Sequence, residues 1–393
     1  MIARIDSHVH CRDWFQEDKE TIAHALRVAE RNGLDGIFDM PNCDPAITTK
    51  DLARLRLREA EKAQSNVFYG LYLGLSSDPN QIKEMVETYK EFFPKEDSKV
   101  GVVGLKMYAG HSVGDLTVAD LKGQKRVYET LSNLGYDGVL TVHCEKEELM
   151  RDDLWEFEKP ITHSYARPEK AEVESVRDQI ILAERTGYAI SEGTGKLHIA
   201  HVSTPKSIDL INNAKGDLNI TSEVAPHHLL LDNGIMTLEN EGIAYKVNPP
   251  LRKPETRRLL FERFIDGEID TLASDHAPHT RKQKFKHPYM SGIPALAFWP
   301  QYLEALEDEI VRVKLQRENQ QVDVMGVLRT HARNMLERMM GTEVDRIFGT
   351  NIKSIEERGL KREFQAPDEN DRDSYAFDPT EHLPSSKSSP EQK

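Results

Sequence analysis

Long apolar runs are missing from this 393-residue chain, and none approaches the ~20 residues that a membrane-spanning helix needs. The opening residues, Met1-Ile2-Ala3-Arg4-Ile5-Asp6, lack the apolar centre of a signal peptide. Excess positive charge is missing too. With 52 Lys and Arg against 66 Asp and Glu the net charge is -14, and no basic patch interrupts it. An acidic chain repels phosphate backbones and anionic lipid, so no nucleic-acid or membrane partner is expected, and a soluble, cytoplasmic protein is. Cysteine is scarce: Cys11, Cys43 and Cys144 form no C-x-x-C pair, which argues against a zinc knot or a disulfide framework. Each directly follows a polar residue of interest (His10, Asn42, His143). Strand neighbours point to opposite faces, so these thiols are expected to pack away from any site as small buried hydrophobes. Finally, no Gly-x-Gly-x-x-Gly opens a helix after the first strand, which disfavours a doubly wound dinucleotide-binding sheet.

What the chain does have is rhythm. Short, β-branched apolar runs at 3–8, 36–40, 67–73, 102–108, 139–143, 196–202, 219–224 and 271–274 read as eight strands. They show little alternation, as parallel strands covered on both faces do. Helical patterns separate them, at 21–32, 51–64, 81–93, 174–186 and 254–266 among others. Eight strands alternating with helices predict a (β/α)8 TIM barrel occupying about residues 1–345. A further apolar stripe at 322–340, closed by Gly341, predicts a core-facing helix. The remainder, 346–393, becomes polar, with Asp368-Glu369-Asn370-Asp371 and Ser385-Ser386-Lys387-Ser388-Ser389, and is expected to be partly disordered or loosely docked. No internal repeat is present.

Chemistry in such a barrel sits at the C-terminal ends of the strands. His8 and His10 share a face of the first strand, and Arg12 shares their parity. Lys106, His143, His201 and Asp275 fall at the ends of other strands, so distant positions converge on one mouth. Imidazoles with a carboxylate form a ligand set suited to zinc. Lys106 is ambiguous. It is either an ordinary ion-paired lysine or a lysine that has reacted with carbon dioxide to give an anionic carbamate able to bridge two cations. His198 is out of phase with His201 and reads as structural, whereas His227 and His228 read as packing residues or as supports beside the site. His276 has the opposite parity to Asp275, and His111 falls in the loop after Lys106.

Taken jointly, Asp6-Ser7-His8-Val9-His10-Cys11-Arg12, Met40-Pro41-Asn42, Gly104-Leu105-Lys106-Met107-Tyr108, His201-Val202-Ser203-Thr204, Glu223-Val224-Ala225-Pro226-His227-His228-Leu229, Lys246-Val247-Asn248-Pro249-Pro250-Leu251-Arg252 and Ser274-Asp275-His276-Ala277-Pro278-His279 resemble the amidohydrolase superfamily, and within it the dihydroorotases, over about residues 1–300. The resemblance implies two zinc ions, one held by His8, His10 and Asp275, the other by His143 and His201, with Lys106 bridging as N6-carboxylysine. It implies that Arg12, Asn42 and His279 hold a substrate carboxylate and that Asn248 borders a pyrimidine ring. It implies reversible cyclisation of N-carbamoyl-L-aspartate to dihydroorotate and water, with Asp275 as proton shuttle.

Two other functions compete. A related cyclic amidase (dihydropyrimidinase, hydantoinase or allantoinase) would share the metals but would not need Arg12. An inactive relative serving a transcarbamoylase would have lost ligands, and none is missing. A homodimer or a complex with a transcarbamoylase is the partner expected besides the small-molecule substrate. The chain departs from the resemblance in having no sequence for a flanking β-sandwich, so a barrel alone is expected, and in placing Cys11 where an aliphatic residue is usual.

Overall fold

The computed structural model describes residues 5–95, 97–112, 116–190, 194–316 and 375–384. Its eight strands are β1 (Ile5–Val9), β2 (Gly36–Asp39), β3 (Phe68–Gly74), β4 (Val100–Tyr108), β5 (Val139–His143), β6 (Lys196–Ile199), β7 (Ile220–Val224) and β8 (Thr271–Leu272). They pair in sequence order, each parallel to the next, as a (β/α)8 barrel requires. The strand expected to reach Val202 stops at Ile199, and β8 is only two residues long. The helix expected at 322–340 and most of the polar tail lie outside the described residues.

The helices among the described residues are α1 (Ile22–Arg31), α2 (Lys50–Lys62), α3 (Pro79–Phe92), α4 (Leu121–Asn133), α5 (Thr162–Ala166), α6 (Glu169–Thr186), α7 (Pro205–Ala214), α8 (Pro226–Leu230), α9 (Pro254–Ile265), α10 (Arg281–Phe285) and α11 (Trp299–Gln316). Their starts follow from local chemistry. Thr21, Thr49, Asp78, Asp120 and Thr204 each accept a first-turn N–H through the side chain, which satisfies a donor that the helix cannot. α6 ends at Gly187, whose φ of 74° is a left-handed cap that costs glycine little. One continuous core between sheet and helices contains Leu26, Ile37, Leu71, Leu105, Leu140, Ile199 and Phe264. The three cysteines are free, buried and part of this outer layer.

The barrel closes between β1 and β8 by contacts just beyond β8. The Ser274 N–H donates to Asp6 Oδ1 at 2.9 Å, Val9 pairs with His276, and the His10 N–H donates to the His276 carbonyl at 2.8 Å. This seam brings the chain around Asp275 against the end of β1.

Candidate metal and substrate site

His8 lies in β1 and His10 one residue past it; Lys106 is in β4, His143 ends β5, His201 follows β6 by two residues and Asp275 follows β8 by three. All six are buried. Asp275 Oδ1 lies 3.4 Å from His8 Nε2 and 3.3 Å from His10 Nε2, a three-residue group able to hold a metal ion. His143 Nδ1 lies 3.1 Å from His201 Nε2, and the His8 and His201 rings are 5.1 Å apart. The two sets are therefore neighbours.

Buried partners fix which nitrogen of each ring faces inward. His8 Nδ1 bonds Glu223 Oε1 at 2.8 Å, and His10 Nδ1 bonds Asn42 Oδ1 at 2.6 Å, so both rings present Nε2 to Asp275. His143 is reversed: its Nε2 bonds Glu145 Oε2 at 3.0 Å, which leaves Nδ1 toward His201. Arg167 braces Glu145 from behind with two 3.1 Å bonds from Nε. Such carboxylate–imidazole pairs orient metal-binding histidines. Burial holds the His8, His10, His143 and His201 imidazoles below their ordinary pKa, which favours the neutral form that ligates metals. Burial raises the Asp275 carboxyl, opposed by His8.

Lys106 is fully buried, and its Nζ has no hydrogen-bond partner. Burial brings its pKa down to about 8 against the pull of Glu223. A buried, unpaired ammonium is costly. Conversion to a carbamate would remove that charge and supply the anionic ligand that the His143–His201 pair lacks. The residues present thus fit a metal centre, on the convergence of imidazoles with Asp275 and on this orphaned amine.

The cleft above is lined by Arg12, Asn42, Tyr108, Asn248 and Ser291 together with the histidines and Asp275. Arg12 reaches it by a route other than strand parity. β1 ends at Val9, and Arg12, Asp13 and Trp14 have φ values of 51°, 64° and 51°. The turn is held from below: Arg56 pairs with Asp39 at 2.7 Å and donates to the Arg12 carbonyl at 2.8 Å. The Arg12 guanidinium is buried, and its Nη1 has no hydrogen-bond partner. Its Nη2 lies 3.5 Å from His279, whose Nε2 bonds the Ser291 carbonyl at 2.9 Å. Asn248 Oδ1 is held by His163 Nε2 at 2.9 Å.

Glu223, Glu145, Arg167, His163 and Tyr108 carry no role in the sequence reading, although Glu223, Glu145 and Tyr108 lie in or beside its motifs. Tyr108 lines the cleft with a buried hydroxyl that has no partner. His198 bonds Thr221 and Glu223, as a structural residue should. His228 bonds the Pro249 carbonyl, whereas neither nitrogen of His227 has a partner. His111 is exposed and pairs with Glu147 at 3.1 Å.

Comparison with known proteins agrees with this geometry. A protein named dihydroorotase from Methanosphaera stadtmanae is 33% identical over 307 residues, covering 74% of this chain and 62% of that protein. One so named from Listeria monocytogenes is 31% identical over 294 residues, covering 71% of this chain and 61% of its own. The chain thus spans a little over three fifths of these relatives. No family model matches. Among solved structures, dihydropyrimidinase from Brevibacillus agri superposes with a TM-score of 0.67 at 21% identity, covering 90% of this chain and 72% of that one. L-hydantoinase from Arthrobacter aurescens gives 0.66 at 20%, with the same coverage. Over some three quarters of its length, then, this chain is a homologue of proteins named dihydroorotase, built on the (β/α)8 barrel that hydantoinases share.

Proposed function

We propose that the chain is a zinc-dependent dihydroorotase, interconverting dihydroorotate and N-carbamoyl-L-aspartate. Two zinc ions, when bound, would lower the pKa of water and polarise the ring carbonyl. His8, His10 and Asp275 would hold one ion, His143 and His201 the other, and Lys106 as a carbamate both. In the hydrolytic direction water attacks the ring carbonyl, a C–O bond forms and the ring C–N bond breaks. Asp275 takes the proton of the attacking water and delivers it to the departing nitrogen; cyclisation reverses each movement and releases water. Arg12 pairs with the substrate carboxylate, with Asn42 and His279 beside it. Asn248, its Oδ1 turned to His163, offers its amide nitrogen to the ring.

One observation carries the choice of substrate: a buried guanidinium with an unpartnered Nη1 in the wall of the cleft. Such a group calls for an anion, and a planar carboxylate matches its fork. A dihydropyrimidinase or hydantoinase acts on neutral rings and gives that charge nothing to pair with. The test is Arg12→Met. Zinc content should stay near normal, since no ligand changes. Transition-state stabilisation for dihydroorotate should fall by about 2–4 kcal/mol, and for neutral dihydrouracil much less. Equal losses on both substrates would favour the general cyclic amidase.

A further inference from the structure

Residues 375–384 lie against the barrel close to its mouth. Leu383 packs on the core, the Phe377 ring meets Tyr245 edge-on at 5.3 Å, and the Ala376 carbonyl accepts from Arg281 at 3.3 Å. These contacts only anchor the segment. Tyr375 does something more specific: its hydroxyl donates to Glu20 Oε2 at 2.6 Å, and its ring meets that of His276 edge-on at 5.4 Å.

Glu20 is buried, and it also accepts from the Thr21 N–H at 2.8 Å, from His24 Nδ1 at 2.6 Å and from His276 Nε2 at 3.3 Å. Burial pushes its carboxyl up, but the hydrogen bonds from His24 and His276 outweigh this and bring it to about 2. Glu20 is therefore an anion fixed in place. His276 has a single workable tautomer. Its Nδ1 accepts from the N–H groups of Ala295 and Leu296 at 3.0 and 3.1 Å, so the ring proton sits on Nε2 and goes to Glu20. The His276 N–H donates to Ser274 Oγ at 3.0 Å, and its carbonyl accepts the His10 N–H at 2.8 Å. Pinning this ring from two sides fixes the main chain that meets His10 and carries Asp275, whose own φ is 47°.

From this chain of contacts we infer that Tyr375 is a positioning residue: it holds Glu20 against His276, whose main chain sets His10 and Asp275 for the metal. The inference rests on the proposed role of those two residues as ligands. Tyr375→Phe keeps the ring and its packing and removes only the hydroxyl.

The experiment measures zinc affinity of the full chain by chelator competition and the visible spectrum of its cobalt-loaded form, for wild type, Tyr375→Phe, Arg281→Ala and His10→Ala. Arg281 ties the segment to the barrel through the Ala376 carbonyl, 3.3 Å away and outside this network, so its variant reports simple anchoring. Tyr375→Phe should bind zinc about three- to tenfold more weakly, somewhat less than the loss of a group touching a ligand directly, and should shift the cobalt bands. Arg281→Ala should change neither. An unchanged affinity and spectrum in Tyr375→Phe, or equal changes in Arg281→Ala, would overturn the inference. His10→Ala separates the two levels. If it keeps wild-type affinity, the ligand assignment itself fails and the inference with it; if it loses zinc while Tyr375→Phe does not, only the inference fails.

Discussion

Lys106 concentrates the energetic question of the site in one amine. Its neighbours at the mouth are imidazoles and the Tyr108 ring, 5.1 Å from Nζ; Nζ has no hydrogen-bond partner, and burial lowers its pKa to about 8. Near neutral pH a usable fraction is therefore the free amine, the form that reacts with carbon dioxide. Lys106→Ala should lose bound zinc and activity together, and short carboxylic acids should partly restore both by standing in for the carbamate. Full activity with two zinc ions retained in that variant would exclude the modification. Residue by residue, the sequence exposed those groups that lie where a strand ends, because strand ends are marked by local apolar runs. It hid Glu223 and Glu145. Glu223 reaches His8 from 215 positions away, a pairing no local pattern encodes. Asn42 was legible as a mouth residue, but its bond to His10 emerges only in three dimensions. Arg12 lies in the wall of the cleft, but a left-handed turn braced by Arg56 brings it there, where strand parity was the expected route.

Among elements, the shortest strand is β8 at the seam with β1, with two residues against four to nine in the other strands. Asp6 stitches it through Ser274, yet its Oδ2 has no partner, and burial raises its pKa from 3.8 to about 7. The sign follows from proton binding. Between about pH 4 and 7 the folded state holds a proton that the unfolded state has released, so this group's contribution is fully present at low pH and is lost as pH rises through 7. At ~1.36 kcal/mol per unit the span is on the order of 4 kcal/mol. Asp6→Asn keeps an acceptor for Ser274 without the charge. Urea unfolding of the metal-free protein should show the variant gaining on wild type at pH 8 relative to pH 4.5, by an amount of that order. Equal stability differences at both pH values would show that Asp6 does not titrate in this way. The strands were legible to within three residues because parallel, doubly covered strands are nearly all apolar. Their ends were less so: beyond Ile199 and Leu272 the chain stays buried through Ala200, Val202 and Ala273, interleaved with polar residues, but leaves the ladder.

At the scale of the molecule, an acidic chain places one buried guanidinium, that of Arg12, in the wall of the cleft beside the histidines. A net charge of -14 would deter an anionic substrate at long range, so selection must come from close contact in the cleft. Sequences related over most of this chain carry the name dihydroorotase, while structures of the same fold carry the names hydantoinase and dihydropyrimidinase. Only the contents of the cleft can separate these. The direct measurement is turnover by the zinc-loaded full chain of dihydroorotate, dihydrouracil and allantoin, with metal content determined on the same samples. Dihydroorotate should be hydrolysed, and re-formed from N-carbamoyl-L-aspartate, in proportion to zinc up to two ions per chain, with kcat/KM about a hundredfold or more above that for either neutral ring. Faster turnover of dihydrouracil or allantoin at full zinc occupancy would contradict the account.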